Sequence, residues 1–152
     1  MNKAFVREPE DTGKRYCPQC GALGEQVGRA TLEAQLRPEA LGTIAETAYF
    51  CPTANCAAAY FDVFDRVVTV DALLRPVYPK DRDAPICGCF GLAEDDIEAD
   101  LADGAPTRVR AHLARANSAE ARCETAAANG RSCTAAVQKY YISRLNRQIE
   151  AP

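Results

Sequence analysis

The chain has 152 residues, with 18 Lys and Arg against 21 Asp and Glu and a formal net charge of -3. That length fits one domain or two small modules, and the mildly acidic balance leaves no broad positive surface for nucleic acid. No apolar run is long enough to span a bilayer as a helix, and the polar N-terminus lacks the apolar segment of a secretory signal. We therefore expect a cytoplasmic protein with no membrane span and no nucleic-acid partner.

In chain order, the sequence passes from a polar arm to a series of short strands. Residues 1–15 lack apolar periodicity and are expected to form a flexible arm. Thr31 can cap a short helix over Leu32–Leu36. Short runs of apolar and aromatic residues then predict strands over 49–50, 58–61 and 67–70.

Beyond a proline-rich connection near residue 80, the pattern becomes helical. Apolar residues spaced four apart predict helices over Glu94–Ala102 and Thr134–Glu150, with another between them that Thr107 can cap. Residues 16–80 and 81–152 are therefore expected to be two modules that together form one compact unit.

The cysteine count stands apart from this ordinary composition, because the chain has eight cysteines with one histidine and no tryptophan. An even number of cysteines allows a disulfide framework, but that needs an oxidising compartment, to which no signal directs the chain. The spacings divide the cysteines into two sets of four, at 17, 20, 51 and 56 and at 87, 89, 123 and 133. We favour metal binding over disulfides or free thiols.

The first set has the spacing of a closed zinc site. Cys17 and Cys20 form a C-x2-C pair, and Cys51 and Cys56 form a C-x4-C pair 30 residues further on. Two such knuckles supply the four thiolates of a tetrahedral structural site, with no open position for water. We expect a structural zinc ion here.

The second set has a spacing that is less typical of zinc. Cys87 and Cys89 form a C-x-C pair, and Cys123 and Cys133 follow after 33 and nine further residues. A 2Fe-2S cluster is held by four cysteines over two irons and accepts uneven spacing, so we favour a cluster over a second zinc ion. The expected fold is α+β, with a small zinc-ribbon-like β part followed by a helical 2Fe-2S-binding part.

Longer motifs surround both sets. Cys-Pro-Gln-Cys-Gly stands at 17–21, Tyr-Phe-Cys-Pro at 49–52, Ile-Cys-Gly-Cys-Phe-Gly at 86–91 and Asn-Gly-Arg-Ser-Cys at 129–133. In this order they resemble the N-terminal domain of CopZ-type copper chaperones, and the cluster half is similar to bacterioferritin-associated ferredoxin. The resemblance implies zinc on Cys17, Cys20, Cys51 and Cys56, and a 2Fe-2S cluster on Cys87, Cys89, Cys123 and Cys133.

The sequence also departs from that family. Ala121 and Ser132 stand where the family has further cysteines, and Ala128 stands where it has proline. The chain ends at Pro152 without the heavy-metal-associated domain of full-length chaperones and its C-x-x-C pair. We therefore expect no thiol of this chain to be free to carry copper.

These features predict an electron-transfer protein that supports copper or other metal-ion handling, for example reduction of Cu(II) to Cu(I). Its partner would be a redox donor or acceptor, a metal chaperone or an exporter, and the chain itself would be at most a metal-ion reductase. The alternative is a structural or regulatory module with two zinc sites and no redox activity. His112 is expected to be an exposed or satisfied helix residue, because both sites already have four thiolates.

Overall fold

The computed structural model describes residues 13–150. Within them, four short strands form an antiparallel sheet in chain order: β1 (Glu25–Val27), β2 (Ala48–Phe50), β3 (Ala58–Phe61) and β4 (Val67–Thr69). The predicted strands are thus confirmed, and β1 is an addition to them. Because neighbouring residues of a strand face opposite sides, Phe50 and Tyr60 enter the main core while Tyr49 and Phe61 pack beside Cys17 and Cys51.

One face of the sheet is covered by α1 (Arg29–Gln35), which is followed by α2 (Pro38–Leu41). Leu32 and Leu36 are fully buried against the sheet. The predicted cap is wrong, because Gly28 precedes the helix and Thr31 lies inside it. The Thr31 hydroxyl is used elsewhere, as a donor to the backbone carbonyl of Glu124.

The second part of the described chain is helical, with α3 (Glu94–Asp103), α4 (Thr107–Ala116), α5 (Cys123–Ala126) and α6 (Thr134–Glu150). Buried Ile97, Val109 and Val137 form its core. Gly104 ends α3 with φ of +78°, a conformation that favours glycine. The buried Asp100 carboxylate accepts the N–H groups of Arg108 and Val109 at 3.1 and 2.8 Å and so holds the start of α4.

Hydrogen bonds connect the sheet part to the segment between Cys123 and Cys133. The Tyr60 hydroxyl donates to the carbonyl of Ala128 at 2.5 Å, and the Gln35 amide donates to that of Thr125 at 2.8 Å. The α+β fold class is confirmed by this sheet and these helices.

The predicted arm over residues 1–15 falls almost entirely outside the described residues. Its last residue, Arg15, accepts a hydrogen bond from the Gly24 N–H at 2.8 Å. Between residues 13 and 150, no helix combines the length and apolar character needed to cross a membrane.

Candidate metal centres

The cysteines of the first set come together where β2 ends and β3 begins. All four Sγ atoms lie within 4.8 Å of one another, with 3.9 Å between Cys17 and Cys56 and 3.6 Å between Cys20 and Cys51. Metal–sulfur bonds of about 2.3 Å in a tetrahedron give S–S edges of about 3.8 Å. The donor set therefore has the dimensions of a four-thiolate metal site.

A tight turn presents the first pair. The Cys17 N–H donates to the carbonyl of Ala22, and the Gly21 N–H donates to the carbonyl of Cys17, both at 2.8 Å. Gly21 has φ of +76°, which a residue with a Cβ adopts only with strain. The glycine after Cys20 is therefore what allows the turn to close.

The second pair is held by the sheet and by a lysine that sequence reasoning missed. Cys51 directly follows β2, and its N–H donates to the carbonyl of Ala59 in β3 at 2.9 Å. The ammonium of Lys80 donates to the carbonyls of Thr53 and Cys56 at 2.6 and 3.0 Å. Lys80 thus attaches the connection between the two parts of the chain to the C-x4-C turn. No local sequence motif predicts this contact.

The surroundings of Cys17, Cys20 and Cys56 shift the pKa values of these three thiols in different directions. Burial raises the pKa of Cys17 to about 12 and also raises the pKa of Cys56. The hydrogen bond with the Thr53 hydroxyl, at 3.3 Å, lowers the pKa of the exposed Cys20 to about 6. A metal site needs thiolates, and the lowered pKa of Cys20 favours the thiolate form at this position.

The predicted cysteines of the second set form two neighbouring pairs. The Sγ atoms of Cys89 and Cys123 are 3.8 Å apart, and those of Cys87 and Cys133 lie within 4.8 Å of each other. The Cys123 thiol interacts electrostatically with Cys89 and Cys87, and the Cys133 thiol with Cys87 and Cys123. The structure therefore brings all four predicted residues to one place.

Backbone N–H groups face these sulfurs. The Phe90 N–H donates to Cys87 Sγ at 3.4 Å, and the Arg122 N–H donates to Cys89 Sγ at 3.2 Å. Cys133 stands immediately before α6, where unpaired N–H groups favour negative charge. Such donors stabilise thiolates and the sulfurs of a bound cluster.

The turn at Cys87 repeats the turn at Cys17. In both, the first cysteine's N–H donates to the carbonyl five residues ahead, and a glycine four residues ahead donates back to the cysteine. Gly91 has φ of +80° in the position of Gly21. The second cysteine of the Cys87 turn, Cys89, comes one position earlier than Cys20 does in the Cys17 turn. Phe90 therefore occupies the position that corresponds to Cys20.

Hydrogen bonding between the buried thiols separates their acidities. The bond with Cys133 lowers the pKa of Cys87 to about 5, with a further contribution from the Phe90 N–H. The same bond raises the pKa of Cys133 above its usual range. Of the two buried thiols, Cys87 is thus the one whose surroundings favour the thiolate.

The C-x-C turn lies directly on α5. A Cβ added at Gly88 would stand 2.0 Å from the carbonyl oxygen of Ala126. No other residue type fits there without displacing the helix that carries Cys123. The small residue between Cys87 and Cys89 is thus part of how the second site is assembled.

Of the two expectations for His112, exposure is wrong, because the residue lies buried at the second site. His112 is 5% exposed, and its Nε2 atom is 3.1 Å from Cys133 Sγ. Nε2 and the sulfurs of Cys87 and Cys133 lie within 4.8 Å of one another. The signal that could have found it is its position three residues after Val109, on the apolar face of α4.

Comparison with known proteins bears on the first part of the chain and on the fold. Residues 14–74 match the model of a zinc binding domain, zf_CopZ. The fold is similar to the X-ray structure of the Archaeoglobus fulgidus CopZ N-terminal domain, with a TM-score of 0.71 and 21% identity over 82% of this chain and 96% of that one. No curated protein matches the chain. Residues 14–74 are therefore similar to the zf_CopZ zinc binding domain, in a chain that has the fold of a CopZ N-terminal domain.

Proposed function

We propose that the chain is a cytoplasmic electron-transfer protein with a structural zinc ion at the first site and a 2Fe-2S cluster at the second. The observation that carries the proposal is the pairing of four thiols at the second site, with N–H donors facing their sulfurs. Zinc would be held by Cys17, Cys20, Cys51 and Cys56. The cluster would be held by Cys87, Cys89, Cys123 and Cys133.

The first site fits a structural role for zinc. Four thiolates complete the tetrahedron and leave no position for a substrate or water. Cys17 and Cys51 are buried in a small cluster with Tyr49 and Phe61, so the ion would join the turn, β2 and β3 around that cluster. Zinc binding of this kind contributes about 10–16 kcal/mol to folding, which is comparable to the whole stability of a small domain.

The second site fits a cluster better than it fits a mononuclear ion. Two thiol pairs correspond to two ligands for each of two irons, which is the cysteine requirement of a 2Fe-2S cluster. When bound, a cluster of this type takes up and releases one electron. The N–H groups of Phe90 and Arg122 stabilise the additional negative charge that reduction places on the sulfurs.

The different exposure of the four cysteines indicates the side from which an electron would enter or leave the site. Cys87 and Cys133 are buried, at 1% and 7% exposed, whereas Cys89 and Cys123 are partly exposed. A redox partner would therefore approach the Cys89–Cys123 side. Arg131 and Lys139 line a cleft of about 730 Å³ that also reaches Cys133, and their positive charges would favour the reduced state of a bound cluster.

The resemblance of the motifs to CopZ-type chaperones supports a role in copper or other metal-ion handling. One electron would come from a reduced donor protein and pass to Cu(II), so that the donor is oxidised and the copper becomes Cu(I). A separate chaperone or exporter would receive the Cu(I), because all eight cysteines are engaged in the two sites. The chain would thus act as a metal-ion reductase at most.

We also propose that the modules 16–80 and 81–152 act as one unit. The segment that carries Cys123 and Cys133 is hydrogen-bonded to Thr31, Gln35 and Tyr60 of the sheet part. Loss of zinc would therefore loosen the support of the second site.

A second candidate function is a regulatory or structural module with two zinc ions. It is favoured by the group Cys87, His112 and Cys133, whose ligand atoms lie within 4.8 Å of one another. Three nitrogen and sulfur ligands of this kind can hold zinc with one further ligand. Such a protein would be colourless and redox-inactive.

Rapid mixing tests the electron-transfer function. Anaerobic protein is reduced with one electron per chain, freed of excess reductant and mixed with Cu(II) and a chelator specific for Cu(I). We expect the visible absorption of the oxidised form to return as one Cu(I) appears per chain. The matched control is the oxidised protein, since free thiols can reduce copper slowly; equal Cu(I) yields from both samples would contradict the proposal.

A further inference from the structure

The geometry points to His112 as the residue that sets the reduction potential of the second site, by donating a hydrogen bond from Nε2 to the Sγ atom of Cys133. This inference rests on the proposed 2Fe-2S cluster and names a residue that is not among its ligands. His112 thus acts through Cys133 and is a positioning residue.

The contact itself is short and shielded from water. Nε2 and Cys133 Sγ are 3.1 Å apart, and both residues are buried. The Phe90 ring packs edge-on against the imidazole, with 6.2 Å between ring centroids. The Arg115 guanidinium lies over the Phe90 ring, 4.3 Å from its centroid. Water therefore has little access to compete for this hydrogen bond, which strengthens its effect on the sulfur.

The other ring nitrogen of His112, Nδ1, indicates whether Nε2 donates a hydrogen bond or binds a metal. Nδ1 is buried and has no hydrogen-bond partner among the described residues. If Nε2 bound a metal, Nδ1 would carry the proton and be a buried donor without an acceptor, whereas ligating histidines almost always donate that proton to a partner. If Nε2 carries the proton and donates it to Cys133, Nδ1 is an unpaired acceptor, which is the less unusual state.

The other sulfur contacts are made by the main chain. Cys87 and Cys89 receive backbone N–H groups from Phe90 and Arg122, which substitution of a side chain leaves in place. His112 is the side-chain nitrogen donor found near these sulfurs in the part of the chain that the structure describes. Hydrogen bonds to sulfur stabilise the more negative, reduced state and so raise the reduction potential.

Substitution of the histidine tests this directly. His112→Leu keeps an apolar side chain in the core but removes the donor, and we expect iron and sulfide contents to stay as in the wild type. The reduced-to-oxidised ratio at a fixed solution potential should fall about tenfold, which is a shift of about -59 mV for one electron. His112→Gln retains an N–H donor and should recover part of that shift.

Leu113→Ala is the matched control for packing. Leu113 lies on the same helix and packs against the same core, and its side chain has no hydrogen-bond donor, so its truncation should leave the potential unchanged. Equal potentials in the wild type and His112→Leu would overturn the inference, and so would an equal shift in Leu113→Ala.

Pulsed electron paramagnetic resonance of the wild type provides a test that does not depend on a variant folding. The chain has one histidine, so isotopic labelling of histidine assigns any nitrogen signal to His112. We expect a weak coupling to the reduced cluster, as from a hydrogen-bonded ring. A strong coupling would make His112 a ligand, and no coupling would place it away from the cluster; either result overturns the inference, while a chain that holds no iron overturns the proposed function itself.

Discussion

The Thr31 hydroxyl donates a hydrogen bond of 2.6 Å to the backbone carbonyl of Glu124. Thr31 lies in α1, which packs on the sheet, and Glu124 is the residue after Cys123 in α5. A Cβ at Gly130 would come within 2.7 Å of the same hydroxyl oxygen. One buried side chain of the zinc-binding part thereby fixes the backbone that presents a ligand of the second site.

Thr31→Val should uncouple the two sites without emptying either. It preserves the shape of the side chain but removes the donor to the Glu124 carbonyl, and a typical hydrogen bond contributes about 0.5–1.5 kcal/mol to stability. We expect the free energy of unfolding to fall by that amount and the visible chromophore to be lost faster in the presence of an iron chelator.

Thr43→Val is the matched control for Thr31→Val. Its hydroxyl also donates to a backbone carbonyl, that of Ala40 at 2.7 Å, but on the exposed surface. A loss of chromophore in Thr43→Val as fast as in Thr31→Val would show that the Thr31–Glu124 bond has no special part in holding the second site.

Gly88→Ala should prevent assembly of the second site. The new Cβ would stand 2.0 Å from the carbonyl oxygen of Ala126, so either the C-x-C turn or α5 must move. We expect iron and sulfide to be absent after reconstitution while zinc remains at one per chain. Gly42→Ala is the control, because its φ of -73° suits any residue and nothing lies within 4 Å of its Cβ; a normal cluster in Gly88→Ala would refute the expected clash.

Cysteine substitutions should separate the metals. Cys87→Ser should bleach the visible colour and spare zinc, because the first site shares no ligand with the second. Cys17→Ser should lose zinc and lower the melting temperature first, since its sulfur is buried in the cluster with Tyr49 and Phe61. Metal analysis and thermal unfolding measure both, and loss of zinc from Cys87→Ser in proportion to the loss of iron would refute the division of the ligands.

Asp100→Asn should destabilise the helical part in a way that depends on pH. Burial acts to raise the pKa of Asp100, but the N–H groups of Val109 and Arg108 and the Arg108 side chain outweigh it and hold the pKa below its usual value. The carboxylate thus stabilises the folded state above the unfolded pKa of about 3.9, and that contribution is lost as the pH falls through the lower, folded pKa.

The measurement for Asp100 is the difference in unfolding free energy between the wild type and Asp100→Asn across the acid range. At neutral pH we expect a difference of about 2 kcal/mol, since hydrogen bonds to a charged group are each worth about 1.5–3 kcal/mol. The difference should shrink below about pH 4. A difference that is independent of pH would mean that the charge of Asp100 does not stabilise the α3–α4 corner.

Local patterns predicted much of this molecule. The four-residue periodicity of α3 and α6 and the apolar runs of β2 to β4 are signals within single segments, and the structure has these elements at the expected positions. The division of the cysteines into two sets was also suggested by local spacing, but the close approach of Cys89 to Cys123 and of Cys87 to Cys133 joins distant segments. Contacts between distant segments could not be predicted from local patterns. The hydrogen bonds from Lys80 to the carbonyls of the C-x4-C turn, the bond from Thr31 to Glu124 and the contact of His112 with Cys133 all depend on how these segments pack.

Metal and acid-labile sulfide analysis of anaerobically purified protein, together with its visible spectrum, decides between a cluster and a second zinc ion. A chain with a zinc ion on the first set and a 2Fe-2S cluster on the second should contain one zinc, two irons and two sulfides, and its colour should bleach on reduction with one electron. A colourless protein with two zinc ions per chain, even after reconstitution with iron and sulfide, would contradict the electron-transfer function.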